Sequence, residues 1–154
     1  MNHWLIKSEP GEFSIDDMKT SPGRKTCWDG VRNYQARNFM RDSMKLGDLA
    51  FFYHSNCPEP AIAGIVTIVK ESYPDHTAFD PMDKHYDPKN DPANPRWYMV
   101  DIKYERKLTR LISLVELKAY AENELENLLL LRRGNRLSII PVSKNEWEFI
   151  LGLE

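Results

Sequence analysis

Residues 25–56 read KTCWDGVRNYQARNFMRDSMKLGDLAFFYHSN, and the second part of this stretch decides the fold. From Arg32 to Met44, the residues Ala36, Phe39, Met40 and Met44 recur at spacings near three and four, an apolar stripe that predicts a helix. Asn33, Arg37 and Arg41 fall at i, i+4 and i+8 on a neighbouring face. Gly47-Asp48 then leads into Leu49–His54, a strand too apolar to be exposed on both faces. The first part of the stretch poses a different question. Trp28 stands beside Asp29-Gly30 and just ahead of amides and arginines. Such a tryptophan is either a core anchor or a stacking platform for a planar polar ligand, and the spacing alone leaves both open.

Outward from this stretch, the same patterns continue. His3–Lys7 reads as a short strand that ends in the turn signal Glu9-Pro10-Gly11. Ala61–Tyr73 and Arg96–Leu111 are β-rich, and Leu137–Val142 reads as a last strand. Ser14-Ile-Asp-Asp17, Ser113-Leu-Val-Glu116 and Ser143-Lys-Asn-Glu146 carry the pattern of helix-opening capping boxes. Between Pro74 and Pro95 lie half of the ten prolines and no periodicity. A loop of that length inside a compact unit is usually functional or mobile. Uneven strands with helices inserted between them predict an α+β, mostly β class with a curled, mainly antiparallel sheet. Length and apolar content fit one domain over residues 1–154.

The net charge of −2 excludes a surface coated in positive potential, but the charge is uneven. Residues 19–45 hold Lys19, Arg24, Lys25, Arg32, Arg37, Arg41 and Lys45 against Asp29 and Asp42, a balance of +5. Residues 75–91 hold five aspartates against Lys84 and Lys89, a balance of −3. A local basic patch of this kind fits an anionic partner. The start of the chain lacks the regions of a signal peptide, no apolar run spans a membrane, and a cytoplasmic address is expected. Cys27 and Cys57 form no CxxC pair and are expected as free thiols.

Enzyme templates find little purchase. The sequence holds no phosphate-binding glycine loop, no G-x-S-x-G elbow and no zinc-deaminase pattern. Asp83, His85 and Asp87 alternate in the manner of metal ligands, yet prolines on both sides favour solvated turn residues. No cofactor or metal is expected. Lys7-Ser8-Glu9 ends its strand with a cation, a hydroxyl and a carboxylate. This is either a charged turn or a set of donors and acceptors at a pocket mouth. His54-Ser55-Asn56 closes the strand from Leu49 with three hydrogen-bonding side chains.

The segments WLIKSEP, WDGVRNYQARNFMRDSMKLGDLAFFYHSN, GIVTIVKESYPD, YDPKNDPANPRWYMVDIKY and LLLLRRGNRLSIIPVSKNEWEFIL cover nearly the whole chain. Together they resemble an EVE domain, of the PUA-like superfamily, with kinship to YTH and more distantly to ASCH domains. The resemblance implies a pseudo-barrel of mixed, mainly antiparallel strands with peripheral helices. It also implies a pocket that accepts one flipped, modified base, in EVE proteins a modified cytosine in DNA. Trp28 matches the wall of the YTH cage. Lys7 and Ser8 match the strand-end pair beside it, and Glu9 stands where YTH proteins commonly have asparagine. Tyr53, His54, Ser55 and Asn56 align with the strand end that faces the pocket. Phe79, Tyr86 and Trp97 are the candidates for a second aromatic wall.

On this reading Lys7, Ser8, Glu9, Trp28, Asp29, Tyr53, His54, Ser55, Asn56 and Trp97 form the base-binding pocket. Arg24, Lys25, Arg32, Arg37 and Arg41 hold flanking phosphates, which position without specifying. The partner is nucleic acid, the expected state a monomer, and the protein a reader with no catalytic residue. Two rival readings remain: an RNA-binding PUA-like module using the same basic helix, and a small amidohydrolase acting on a modified nucleoside. The second would use Lys7 and Glu9 as base and acid with Ser8 nearby.

Overall fold

The computed structural model describes residues 1–154. Six strands form a single sheet: β1 (His3–Ser8), β2 (Lys25–Trp28), β3 (Leu49–His54), β4 (Ala61–Pro74), β5 (Tyr98–Ser113) and β6 (Ile139–Val142). Their order across the sheet is β2-β5-β4-β3-β1-β6. Only β1 and β3 run parallel; every other neighbouring pair is antiparallel. The long β4–β5 ribbon shifts register at four places. Each shift adds local twist, which lets the sheet curl into a pseudo-barrel. The strand β2 was not evident from sequence. Lys25-Thr-Cys-Trp is too short to show alternation, and only its pairing with Val100–Lys103 defines it.

Four helices attach to this sheet: α1 (Ile15–Thr20), α2 (Tyr34–Asn38), α3 (Leu114–Lys118) and α4 (Lys144–Leu153). Full capping boxes open α1 and α4. At α3 only half of the motif forms. Ser113 caps the Glu116 amide, while the Glu116 carboxylate is taken by Arg110.

The expected helix over Arg32–Met44 needs correction. Asn33 accepts the Ala36 amide as N-cap, so the helix starts at Tyr34 and Arg32 lies outside it. After Asn38 the chain widens into a π turn over Phe39–Ser43, closed by Met44 N–H to Phe39 O at 2.9 Å. One extra residue in a turn rotates the side chains beyond it by roughly 100°. Arg37 and Arg41 therefore do not share the face that simple helical spacing predicts.

The core is one cluster of 31 buried residues. Ala50–Tyr53 of β3 are buried on both faces. Phe51 stacks on Trp147 of α4 with ring centroids 3.8 Å apart. Its neighbour Phe52 points the other way and meets Phe13 and Trp28 edge-on at 6.4 and 5.8 Å. Period-two alternation thus sends one phenylalanine to the outer helix and the next toward the barrel interior.

Between β4 and β5 the long loop is a chain of turns. The side chains of Asp75, Asp80, Asp83, Asp87 and Asp91 each accept the backbone N–H two residues on, at 2.8–2.9 Å. The five aspartates that make this segment acidic are its turn-formers.

Candidate functional site

A cavity of about 590 Å³ opens between β2 and the β1–β6 side of the barrel. Thr26, Cys27 and Trp28 line it from β2, Lys7 and Ser8 from the end of β1, and Ser138 from just ahead of β6. Since β2 and β6 are the two ends of the sheet order, the cavity occupies the seam where the barrel does not close. Glu12 and Phe13 complete one wall, and Lys84 and His85 of the long loop complete the other. Lys84 and Glu12 meet at 3.4 Å as an exposed ion pair between those walls. Such a pair contributes little stability, about 0–1 kcal/mol.

Trp28 is half-buried, with Phe52 against its edge and Phe13 tilted beside it at 6.2 Å. It therefore borders the cavity while anchored to the core. Phe13 is held in turn by its backbone N–H, which donates to Glu9 O, and by the Ser8 hydroxyl, which donates to Phe13 O at 2.5 Å.

Two half-buried charged groups in the lining, Lys7 and Asp29, stand without a counter-ion. The Lys7 ammonium has no ion pair or hydrogen bond, and burial lowers its pKa. The Asp29 carboxylate meets only the Cys27 thiol, at 3.9 Å. Burial raises its pKa, and the negative charge of Asp75 adds to the effect. Both shifts disfavour the charged form, so each group costs stability where it sits. Unpartnered groups of this kind make the cleft a candidate binding or catalytic site.

Arg32 has a different role from the one expected. Its five N–H groups all have protein acceptors: Val31 O, Asp75 Oδ2, Thr77 Oγ1, and His85 O from both Nε and Nη2. Asp75 is fully buried, and its carboxylate also accepts the Gly30 amide at 2.8 Å. Burial alone would raise the Asp75 pKa, but hydrogen bonds from Thr77, Gly30 and Arg32 outweigh it and hold the carboxyl below its usual range. Arg32 fastens the long loop to the cavity wall and has no donor left for a phosphate.

Arg37 donates to Arg96 O and Asn38 and lies over the Tyr34 ring at 4.8 Å. The Arg41 guanidinium is paired with Asp42. Arg24 and Lys25 are exposed at the start of β2; Arg24 lies over Tyr104 at 5.6 Å.

Of the ten residues expected in the pocket, Lys7, Ser8, Glu9, Trp28 and Asp29 line the cavity. The other five do not. Tyr53 is in the core, with its pKa pushed up to about 12 by burial. His54 Nε2 accepts the Ile15 amide at 3.0 Å, satisfying a free N–H at the start of α1. Ser55 N–H bonds to Ser8 O, and Asn56 Nδ2 donates to Glu9 Oε1 at 3.1 Å. Tyr53 and His54 are the register partners of Lys7 and Ser8, so residues 53–56 prop the pocket from behind.

Trp97 donates to Asp87 at 2.7 Å, stacks on Tyr34 at 4.9 Å, and borders a smaller cavity of about 280 Å³ with Tyr86. Phe79 lines neither cavity. The aromatic rings that face the main cavity with Trp28 are Phe13, which has no role in the sequence reading, and His85, which reads from sequence as a solvated turn residue.

Comparison with known proteins shows the same overall fold in solved structures. Human thymocyte nuclear protein 1 is 52% identical over 99% of this chain and 74% of its own length. The crystal structure of human THYN1 protein in complex with 5-methylcytosine-containing DNA superposes with a TM-score of 0.95, at 51% identity, over 99% of this chain and 97% of that one. A crystal structure from Pseudomonas syringae matches with a TM-score of 0.92, 49% identity and 98% coverage of both chains. The expected cytoplasmic address is corrected here: relatives at 49–52% identity are named for the nucleus, and a missing signal peptide carries no information about nuclear entry. No helix is long and apolar enough to cross a membrane. Residues 2–153 match the EVE domain family, and the chain belongs to it.

Proposed function

We propose that this protein is a DNA-binding reader that takes one flipped methylated cytosine into the seam cavity. The observation that carries the reading is the trio of Trp28, Lys7 and Asp29: one anchored ring beside two charged groups without partners. The human relative seen with 5-methylcytosine DNA supports the choice of base.

The chemistry follows from the cytosine edge, which offers an amino donor at N4 and acceptors at N3 and O2. Asp29 accepts from N4, as carboxylates do for cytosine, and Lys7 donates to an acceptor on the same ring. Thymine, with an oxygen in place of the amino group, meets Asp29 with repulsion. Stacking on Trp28 returns about 1–3 kcal/mol toward a flipping cost of a few kcal/mol. Ser8 and Glu9 close the polar rim, and Arg24 and Lys25 approach phosphates beside the mouth. Burying the methyl group adds about 0.8 kcal/mol, a preference of about fourfold.

Binding is the role of this site, not turnover. The amidohydrolase reading needs Lys7 and Glu9 as a coupled pair, whereas Glu9 is exposed, bonded to Asn56, and makes no ion pair with Lys7. The test is a set of short duplexes, identical except for one modified base, titrated at fixed salt. Preference for the 5-methylcytosine duplex over its unmodified twin and over a thymine mismatch is expected. Equal affinity for all three duplexes would remove the reading, and release of product from free modified nucleosides would restore the enzyme.

A further inference from the structure

We infer that the turn Arg132–Arg136 is the main clamp for the phosphodiester backbone of the DNA strand that enters the seam cavity. This rests on the reader function above and assigns its electrostatic contact to a segment outside the basic helix.

Arg32, Arg37, Arg41, Arg96, Arg106 and Arg110 all donate to acceptors within the protein. Arg24 lies over an aromatic ring. Arg132, Arg133 and Arg136 are exposed and make no ion pair, side-chain hydrogen bond or aromatic contact. In a protein of net charge −2 whose other arginines are all engaged, three free guanidiniums within five residues repel one another without relief. An anionic partner supplies that relief.

The backbone holds them in place. Asn135 N–H bonds to Arg132 O at 3.2 Å, and Gly134, third in this turn, has φ +77°, as a type II turn requires. Asn135 Oδ1 then accepts the Leu137 amide at 2.9 Å, adding a second turn. Leu131 packs on the core on one side and Leu137 is buried on the other, so the loop is pinned at both ends. Its position is the decisive point. Two residues past Arg136, Ser138 lines the cavity, and its carbonyl accepts the Lys7 amide at 2.9 Å. Arg136 and Ser138 lie at most about 7 Å apart along the chain, which sets Arg136 beside the cavity and Arg132 and Arg133 further back in the same turn.

The experiment measures affinity for one 5-methylcytosine duplex and its unmodified twin from low to moderate salt. The wild type is compared with R132A/R133A/R136A, with the lysine version R132K/R133K/R136K, and with Arg41→Ala. If the three arginines each neutralise a phosphate, the alanine variant flattens the slope of log affinity against log salt by just under three. The methylated-to-unmodified ratio stays as in wild type, the lysine variant restores the slope, and Arg41→Ala leaves it unchanged. Melting curves show the alanine variant folded, since these side chains touch nothing. An unchanged slope in the alanine variant overturns the clamp. Loss of the methylated-to-unmodified preference in wild type, with the slope still dependent on these arginines, overturns the reader and leaves the clamp standing.

Discussion

The imidazole of His85 lies so close to Gly30 that a β-carbon at position 30 would come within 2.6 Å of it. The glycine also holds φ +79°, which costs an alanine roughly 1–2 kcal/mol. Loop and β2 side therefore touch through a backbone surface with no side chain in between. Gly30→Ala is expected to displace His85 from the cavity wall, lower stability by about 1–3 kcal/mol and weaken DNA binding beyond that loss. Calorimetric melting and equilibrium titration of the same sample check it. Unaltered melting and affinity would show that the loop adapts freely at this contact.

The two tryptophans Trp28 and Trp147 separate binding from stability. Trp28→Ala should weaken binding to the methylated duplex by about 1–3 kcal/mol, with little change in salt slope. Trp147 is buried between Phe51 and His3, and Trp147→Ala should cost about 3–5 kcal/mol of stability. Its remaining folded fraction should bind normally. Early melting with normal binding for Trp28→Ala would return that residue to the core alone.

Asp29 links recognition to pH. Its carboxyl is held above the usual range, first by burial and then by Asp75, and accepting from N4 requires the ionised form. Affinity should therefore fall as pH drops through that raised value. The stability sign is opposite: a raised carboxylate loses folding stability as pH rises from its ordinary value through its folded one. Asp29→Asn should thus melt no lower than wild type while losing about 1 kcal/mol of binding, the difference between a charged and a neutral acceptor. A clear drop in melting temperature would argue that Asp29 is structural.

Asp75 carries the reverse sign. Its depressed pKa means that its contribution is full above the unfolded carboxylate value near pH 4 and is lost as pH falls through the folded value. Asp75→Asn strips the counter-charge from Arg32 and should cost about 3–5 kcal/mol at neutral pH. The acid side of the stability curve should also flatten. Denaturant titrations from pH 3 to 7 test both, and a variant as acid-sensitive as wild type would refute the assignment.

How much of this could be read from the sequence depends on how local each interaction is. Trp28 beside Asp29, and Lys7-Ser8-Glu9, stand out locally as a ring and charges at strand ends, but local chemistry leaves a structural reading open for each, and only the family resemblance selects the pocket. His54 had the same local look, but its nitrogen is spent on the amide of Ile15, 39 residues away in sequence. Arg32 looked like part of a basic helix face until Asp75, 43 residues on, claimed it. Phe13 reaches the cavity from a loop with no periodicity to flag it, His85 from turns that read as solvated, and Ser138 from the start of what reads as the last strand. The proline-rich loop reads as functional or mobile, and its aspartates as bulk charge rather than as successive turn-formers. Strands and capped helices were legible because period and capping chemistry are written within a few residues; the π turn after Asn38 has no such signature.

The seam has a consequence for motion. A barrel with one gap leaves β2 hydrogen-bonded on one side only, to β5. The same holds for β6, bonded only to β1, and such edge strands are the ones whose amides should exchange with solvent most readily. A nucleobase wedged between β2 and β1 would act as the absent stave, bracing the loose strand without any backbone bond of its own. Occupancy should then slow deuterium uptake at Lys25–Trp28 far more than in β3 or β4, which have strands on both sides. Without that brace, the protein would keep a singly bonded strand along one wall of the cavity.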